Sequence, residues 1–453
     1  MAGLTRFRRD PSWRQPGDGR VVLAGSPLRL FRVSAGGREV LDRAERGEQP
    51  DTEPVRRMLE RFIDAGALHP QYPASPFGPG DVTVVVPAYR RLPTAWPTVG
   101  TVVVDDASPE PLSPPTDTPA LVRVIRLDIN GGPAAARNAG LAEVSTPLVA
   151  FLDTDVSVPP DWLDALLPHF SDPKVALVAP RVAAAPGSGA IAHHERSHSP
   201  LDLGTEPARI AAGSRVSYVP AAALVCRTAA VRDAGGFDTS MRVGEDVDLV
   251  WRLIEAGHRC RYEPASVVQH EPRHSWGAFV QQRIGYGRSA APLAARHPGN
   301  LAPVRCSAWS AAVWALVAAR RPLAGLLLGA ATAAALVRRL RDLPPAEAAR
   351  LVALGHLAAG RQFAAALSRV WWPVALPVAL LVRRTRLPLL AALLVPTAVE
   401  AARSRSAQPV LGFPTRLLDE GSYALGVWQG VLQERRIEPL LPRFTTWPLR
   451  GDG

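Results

Sequence analysis

Five short stretches of this chain carry side chains able to do chemistry together. In PLVAFLDTD an apolar run ends in Asp153 and Asp155, two carboxylates spaced i and i+2. Hard divalent cations such as Mg2+ or Mn2+ take carboxylate oxygens and share them with substrate phosphates. This pair can therefore hold a metal against a diphosphate, with a solvated turn as the plain alternative. TVVVDD ends in Asp105 and Asp106, which can accept hydrogen bonds from a base or ribose, or cap a turn. Asn130-Gly131-Gly132-Pro133 precedes AAARNAG. Gly-Gly-Pro permits a tight entry into a helix, and a helix N-terminus favours anions. Arg137 and Asn138, one or two turns in, are within reach of a diphosphate or a base. Gly244-Glu245-Asp246-Val247-Asp248 opens another helix. Acidic residues there suit the helix dipole, and one of them can act as general base toward an acceptor hydroxyl. His270, after ASVVQ, is either a packed residue or one that completes a metal shell through a ring nitrogen.

The elements that must position these groups are legible in the apolar patterning. DVTVVVPAYR is a continuous β-branched run, as expected of a parallel strand buried on both faces. TVVVDDAS, LVRVIRLD, PLVAFLDTD and VALVAPRV repeat the pattern, with GPAAARNAGLAEV and PDWLDALLPHF between some of them spaced as helices. That alternation predicts an α/β domain over about 80–300 with a mostly parallel sheet. Ligands of such sheets bind outside the carboxyl ends of the strands, so Asp105, Asp106, Asp153 and Asp155 are expected on one rim. Residues 1–72 read as short strands followed by helices (EPVRRMLERFIDAGAL places Val55, Met58, Leu59, Phe62 and Ile63 on one face), a small winged-helix-like α+β module. HPQYPASPFGPG is the linker.

Charge separates the remaining third. Residues 301–453 hold 19 Arg against 8 Asp and Glu, and residues 1–300 balance at 33 of each sign. The arginines punctuate apolar runs such as AAVWALVAA, PLAGLLLGAATAAALV and VWWPVALPVALLV rather than lining a polar face. This argues for a membrane-facing helical region over 305–453 and against a nucleic-acid binder. The runs fall short of a full span of about 20 residues, which leaves tilted spans, re-entrant hairpins or interfacial helices. Three scattered cysteines show neither metal spacing nor a disulfide framework. The basic N-terminus lacks the apolar core of a signal peptide.

Taken in this order and spacing, VTVVVPAYR, VVVDDAS, NGGPAAARNAGL, VAFLDTD, GGFDTSM and GEDVDLVWRLIEAGHRCRYEPASVVQH resemble the family 2, GT-A-type glycosyltransferases over residues 81–275. The resemblance implies a nucleotide-binding α/β fold, a nucleotide-sugar donor and an inverting mechanism. It implies that Pro87, Ala88 and Tyr89 border the nucleotide, that Asp106 (with Asp105) contacts the base, and that Asp153 lies near the ribose. Asp155 and His270 would hold the Mg2+ or Mn2+. Asp246 would be the base with Glu245 beside it, and Gly236, Phe237 and Asp238 would shape the acceptor side. Through AGSPLRLFRVSAGG, SPLDLGTEPARIAAGSRVSYVPAAALV and RIGYGRSAAPLAARHPG, the whole chain is also similar to glycosyltransferases that build a β-1,4-linked glucose chain from UDP-glucose on a peptide-derived redox cofactor. That implies a peptide-binding N-terminal module and an inner-membrane protein with a cytoplasmic catalytic domain.

Two features depart from the family pattern. Only about ten residues, LPTAWPTVG, separate VVVPAYRR from TVVVDD, where a longer helix is usual, so a more open pocket or a rearranged sheet is expected. Gln281–Gly287 matches the processive Q-x-x-R-W motif poorly, although Gln282, Arg283 and Tyr286 would still line an acceptor groove. The competing readings are a lipid or cell-wall polysaccharide acceptor, an inactive peptide-binding scaffold, and a nucleotidyltransferase. The last would need a Gly-rich signature that VVVPAYRR lacks.

Overall fold

The computed structural model describes residues 6–48, 50–115, 121–404, 410 and 412–445. The chain divides into two compact units, Met1–Pro272 and Arg273–Gly453.

The first unit opens with β1 (Arg6–Arg9), a hairpin of β2 (Val21–Ala24) and β3 (Arg29–Arg32), helices α1 (Ala35–Arg46) and α2 (Glu53–Asp64), and β4 (Leu68–Gln71). β4 returns antiparallel to β1. Val22, Phe31, Leu41, Leu59, Phe62, Ile63 and Leu68 form its core, so the apolar stripe read along α2 faces inward. Phe31 and Phe62 stack with centroids 4.3 Å apart.

The sheet that follows has nine strands: β5 (Val82–Ala88), β6 (Thr101–Asp105), β7 (Val122–Arg126), β8 (Leu148–Leu152), β9 (Val156–Ser157), β10 (Val175–Ala184), β11 (Ala208–Arg209), β12 (Ala223–Arg227) and β13 (Arg259–His270). Its order is β11-β13-β10-β12-β8-β5-β6-β7, with β9 pairing β13. From β8 to β7 every pair is parallel; β5, β6 and β8 are buried almost throughout, as expected of parallel strands covered on both faces, whereas the edge strand β7 is partly exposed. β12 enters antiparallel to both β8 and β10, which makes the sheet mixed. Helices α3 (Pro133–Ala142), α4 (Gly189–His198), α5 (Thr228–Asp233) and α6 (Glu245–Glu255) complete the unit.

Two local expectations are corrected. PDWLDALLPHF is not an α-helix: turns lead into a 3-10 segment at Leu167–Ser171. Pro168 removes one backbone donor and Pro159-Pro160 disfavours helix at the entry. The short β5–β6 connection does not rearrange the sheet, since Val84 to Ala88 pair with Thr101 to Asp105 in unbroken parallel register. Partly buried Leu92 and Trp96, with buried Val99, pack on the core where a helix would otherwise lie.

The N-terminal module is fixed to the sheet by buried charges. Asp10 accepts from His69 Nε2 at 2.9 Å and pairs with Arg215 at 2.9 Å. Arg261 donates to His69 Nδ1 at 3.1 Å. Arg259 joins Asp64 and Asp172, each at 2.7 Å. Burial alone would raise the Asp10 carboxyl, but His69, Arg215 and Ser12 hold it well below the usual range. Burial pushes the His69 imidazole down, Asp10 opposing it, so the ring is the neutral link of the chain.

In the second unit, α7 (Trp276–Arg288) and α8 (Ala290–Arg296) precede α9 (Ala308–Ala318), α10 (Pro322–Arg339), α11 (Pro345–Arg369), α12 (Trp372–Leu381), α13 (Arg386–Ser404) and α14 (Phe413–Glu434). Within this unit α7 packs along α14. Two helical stretches, Pro322–Arg339 and Arg383–Arg403, are long and apolar enough to cross a membrane, and α11 and α12 meet at an 88° bend. Leu323, Leu326 and Leu327 on α10 and Leu387 and Leu390 on α13 are exposed.

Replacing Asp10 by Ala leaves Arg215 without its carboxylate and the His69 N–H without its acceptor at the module–sheet junction. The expected loss is roughly 3–5 kcal/mol of stability, read by equilibrium unfolding of the full chain in detergent.

Candidate active site

The parallel strands β5, β6 and β8 end side by side, and the acidic residues that follow them gather on that rim. Asp105, 1% exposed, accepts from the backbone N–H of Ser108 (2.9 Å) and of Leu112 (3.1 Å) and pairs with Arg126. Burial pushes its carboxyl up, but the hydrogen bonds from Ser108 and Leu112 and the Arg126 contact outweigh this and hold it below the usual range. Both its oxygens are engaged in folding the loop after β6. Asp106 braces the next loop: Oδ1 accepts from Gly131 N and Oδ2 from Gly132 N, both at 2.8 Å. One N–H on each oxygen leaves further acceptor capacity. Gly132 has φ +83°, and a Cβ there would lie 3.3 Å from the Arg242 guanidinium, so this turn into α3 requires glycine.

Pro87 and Ala88 are the last residues of β5, and Tyr89 stands exposed with the Arg90 guanidinium 5.1 Å from its ring centre. Arg90 (φ +65°) and Ala107 (φ +52°) both take the left-handed region at adjacent strand ends. Arg90 is held there by its N–H bond to Ser108 Oγ, 2.8 Å. Such strain in non-glycine residues persists only where surroundings enforce it, and it clusters at ligand sites.

Arg137 lies at the centre of the rim. It is 4% exposed, and it joins Asp153 Oδ1 and Glu245 Oε1, each at 2.7 Å. Its Nε is buried without an acceptor among the described residues. Burial alone would lower the guanidinium's pKa, but Asp153 and Glu245 more than offset it, so Arg137 stays charged. Burial, reinforced by the Asp246 charge, pushes the Glu245 carboxyl up to about 7 against the pull of Arg137. Arg137 therefore ties α3, the end of β8 and the start of α6 together. Its neighbour Asn138 does the same for GGFD: Nδ2 donates to Phe237 O (2.7 Å) and Oδ1 accepts from Phe237 N (2.8 Å). Gly236, at φ +69°, allows this approach, since a Cβ would sit 2.6 Å from Asn138 Oδ1. Phe237 is buried edge-on against Phe151, and Asp238 caps Ser240 N at 2.8 Å.

Two antiparallel strands bring in the groups from far along the chain. Because β12 runs against β8, its entry lies beside the exit of β8, and Asp153 N donates to Ala222 O at 3.1 Å. The next residue back, Ala221, donates its N–H to Asp246 Oδ2 at 3.0 Å, while Val247 N donates to Oδ1 at 2.8 Å. Asp246 is thus half-buried and fixed beside Asp153. β13 pairs antiparallel with β9, His270 opposite Val156, and Glu271 N donates to Asp155 O at 2.9 Å. This places His270 Nε2 3.4 Å from Asp155 Oδ1, both residues buried. A carboxylate and an imidazole converging so fit a cation of the Mn2+ or Mg2+ kind. Among the described residues no group of three or more His, Cys, Asp or Glu is placed to hold a metal ion.

Two residues at this site escaped the sequence reading: Arg91 contacts Asp155 at 3.4 Å and Glu271 at 3.3 Å. Their only sequence signal is adjacency, Arg91 following PAYR and Glu271 following His270. Gln282, Arg283 and Tyr286 belong to the second unit. There Arg283 is 2% exposed, pairs with Asp419 (2.9 Å) and Gln282 (3.0 Å), and lies over Phe279.

An open sheet with carboxylates and a histidine gathered at its carboxyl rim defines a glycosyltransferase of the GT-A type. The family model "Glycosyl transferase family 2" matches residues 83–232. The chain is 40% identical over 454 residues to the Pre-mycofactocin glycosyltransferase of Mycobacterium tuberculosis, covering 95% of this chain and 96% of that protein. It is 30% identical over 211 residues to the Succinoglycan biosynthesis protein ExoO of Rhizobium meliloti, covering 41% and 59%. Among solved structures, the mannosyltransferase PcManGT of Pyrobaculum calidifontis in complex with GDP-Man and Mn2+ overlaps 83% of this chain and 92% of its own. Its 15% identity and TM-score of 0.39 add nothing to the assignment. The chain belongs to glycosyltransferase family 2, alongside the pre-mycofactocin glycosyltransferases.

A carboxyl raised by burial favours the folded state most below its unfolded pKa, and that contribution is lost as pH rises through about 7. Compared with Glu245→Gln, the wild type should lose on the order of 1–3 kcal/mol of stability between pH 5 and pH 8, measured by denaturant unfolding across that range.

Proposed function

We propose that this protein is an inverting glucosyltransferase that moves glucose from UDP-glucose to pre-mycofactocin and extends it into a β-1,4-linked chain. The observation that carries the reading is the rim on which Asp106, Asp153, Asp155, Asp246 and His270 are held by backbone and ion-pair contacts. The match to the pre-mycofactocin glycosyltransferase along nearly the full chain supports the acceptor.

In this reading Asp106 accepts from the base and Asp153 from the ribose, with Pro87, Ala88 and Tyr89 bordering the nucleotide. A Mg2+ or Mn2+ held by Asp155 and His270 would supply the counter-charge for the departing diphosphate. Asp246 takes the proton of an acceptor hydroxyl as that oxygen bonds to the anomeric carbon and the bond to UDP breaks. Its two backbone donors fix its direction while leaving lone pairs for the proton. One displacement by one base inverts the anomeric centre and needs no nucleophilic side chain. Gly236, Phe237 and Asp238 shape the acceptor side.

The N-terminal module, residues 1–72 and winged-helix-like, is the part assigned to the peptide portion of the acceptor. Residues 80–300 form the catalytic domain and 305–453 the membrane-associated region. Pro322–Arg339 and Arg383–Arg403, apolar and bounded by arginines, support an inner-membrane location, and the similarity to the pre-mycofactocin glycosyltransferases suggests the cytoplasmic side for the catalytic domain. The leucines exposed on α10 and α13 favour a second reading, a lipid or cell-wall polysaccharide acceptor.

Purified protein in detergent, given UDP- and GDP-sugars with Mn2+ or Mg2+, should consume UDP-glucose fastest when pre-mycofactocin is present. Stimulation by a lipid-linked acceptor instead would favour the second reading, and no turnover of any donor would favour a binding scaffold. Asp246→Asn should lower transfer by about 10²–10⁴-fold, and a wild-type rate in that variant would remove Asp246 from the base role.

A further inference from the structure

The strap between β5 and β6 carries Arg91 over the cation site. Its guanidinium lies 3.4 Å from Asp155 Oδ2 and 3.3 Å from Glu271 Oε2. On the other side of the same carboxylate, Asp155 Oδ1 faces His270 Nε2 at 3.4 Å. Asp155 thus offers one oxygen to the imidazole and the other to a permanent cation. The Arg91 side chain is 46% exposed, and both of its contacts exceed the ~2.7–2.9 Å of a tight charge-assisted hydrogen bond. It is held loosely enough to leave. Its backbone is not loose: the preceding residue, Arg90, is pinned in the left-handed region by Ser108. The side chain can swing from a fixed root.

We propose that Arg91 is a displaceable counter-ion of the Asp155–His270 site. It offsets part of the negative charge of Asp155 and Glu271 in the donor-free enzyme and transfers to the diphosphate when cation and nucleotide bind. The inference rests on Asp155 and His270 being the cation ligands. Its physical basis is charge. A divalent cation on Asp155 repels a guanidinium on the same carboxylate, so the two compete when no nucleotide is present. A diphosphate reverses the sign, because its oxygens match the planar fork of arginine donors. The same residue therefore opposes binding of the bare ion and favours binding of the nucleotide, which makes cation uptake depend on the donor.

The test is isothermal titration calorimetry on the full chain in detergent, with MnCl2 alone and then with UDP in saturating MnCl2. Arg91→Ala should bind Mn2+ alone about two- to fivefold more tightly than wild type. It should bind UDP about ten- to a hundredfold more weakly. Arg91→Lys, which keeps the charge but loses the fork, should bind Mn2+ as weakly as wild type and recover only part of the UDP affinity. Thermal melting checks that the variants are folded, as expected for a half-exposed side chain. Unchanged Mn2+ affinity in Arg91→Ala would overturn the counter-ion role, and unchanged UDP affinity would overturn the transfer to diphosphate. If wild type bound no Mn2+, or bound it equally after Asp155→Ala, the ligand assignment would fail and the inference with it.

Discussion

The bridge from Asp153 through Arg137 to Glu245 is the interaction on which the site depends. A fully buried guanidinium is costly unless its charge is compensated and its donors are engaged. Here the two compensating carboxylates come from positions 153 and 245, at the end of one strand and the start of one helix. The chain cannot shelter Arg137 without bringing those two elements to α3. Once they are there, Asp155 and Asp246 follow, each within two residues of a bridged carboxylate. The groups proposed to face donor and acceptor are thereby carried on neighbours that are not free to move. Glu245, expected from the sequence to lie beside the base, is held in this bridge.

Sheet topology does the rest. A wholly parallel sheet would put only strand exits on the rim, each followed by its own loop. Inserting β12 antiparallel to β8 puts a strand entry there instead, and the Ala221 N–H at that entry is what aims Asp246. Pairing β13 against β9 likewise returns the far end of a twelve-residue strand to Asp155. The opposite end of β13 carries Arg259 and Arg261, gripped by Asp64 and His69 of the N-terminal module. The strand that presents His270 is thus anchored at both ends.

Much of this was legible in the sequence because burial on both faces leaves an unbroken apolar run. VTVVVPA, TVVVD and LVAFL are strands β5, β6 and β8 almost to the residue, and the aspartates that follow them mark the rim. What was not legible depends on long-range pairing. Nothing local distinguishes Arg137 as a buried bridge from Arg137 as a surface phosphate ligand, since its partners lie 16 and 108 positions away. Asn138 and Asp105 are similar: their side chains satisfy backbone groups of loops whose position only the fold defines. Helical spacing also misled at PDWLDALLPHF, where the prolines override the periodicity.

In the proposed mechanism a single base, Asp246, drives one in-line displacement with no covalent intermediate. The most direct measurement is the anomeric configuration of the first sugar transferred from UDP-α-glucose, read by NMR on the isolated product. A β-linked glucose is the result this account requires. An α-linked glucose would mean retention, and would contradict both the single-displacement mechanism and the role given to Asp246.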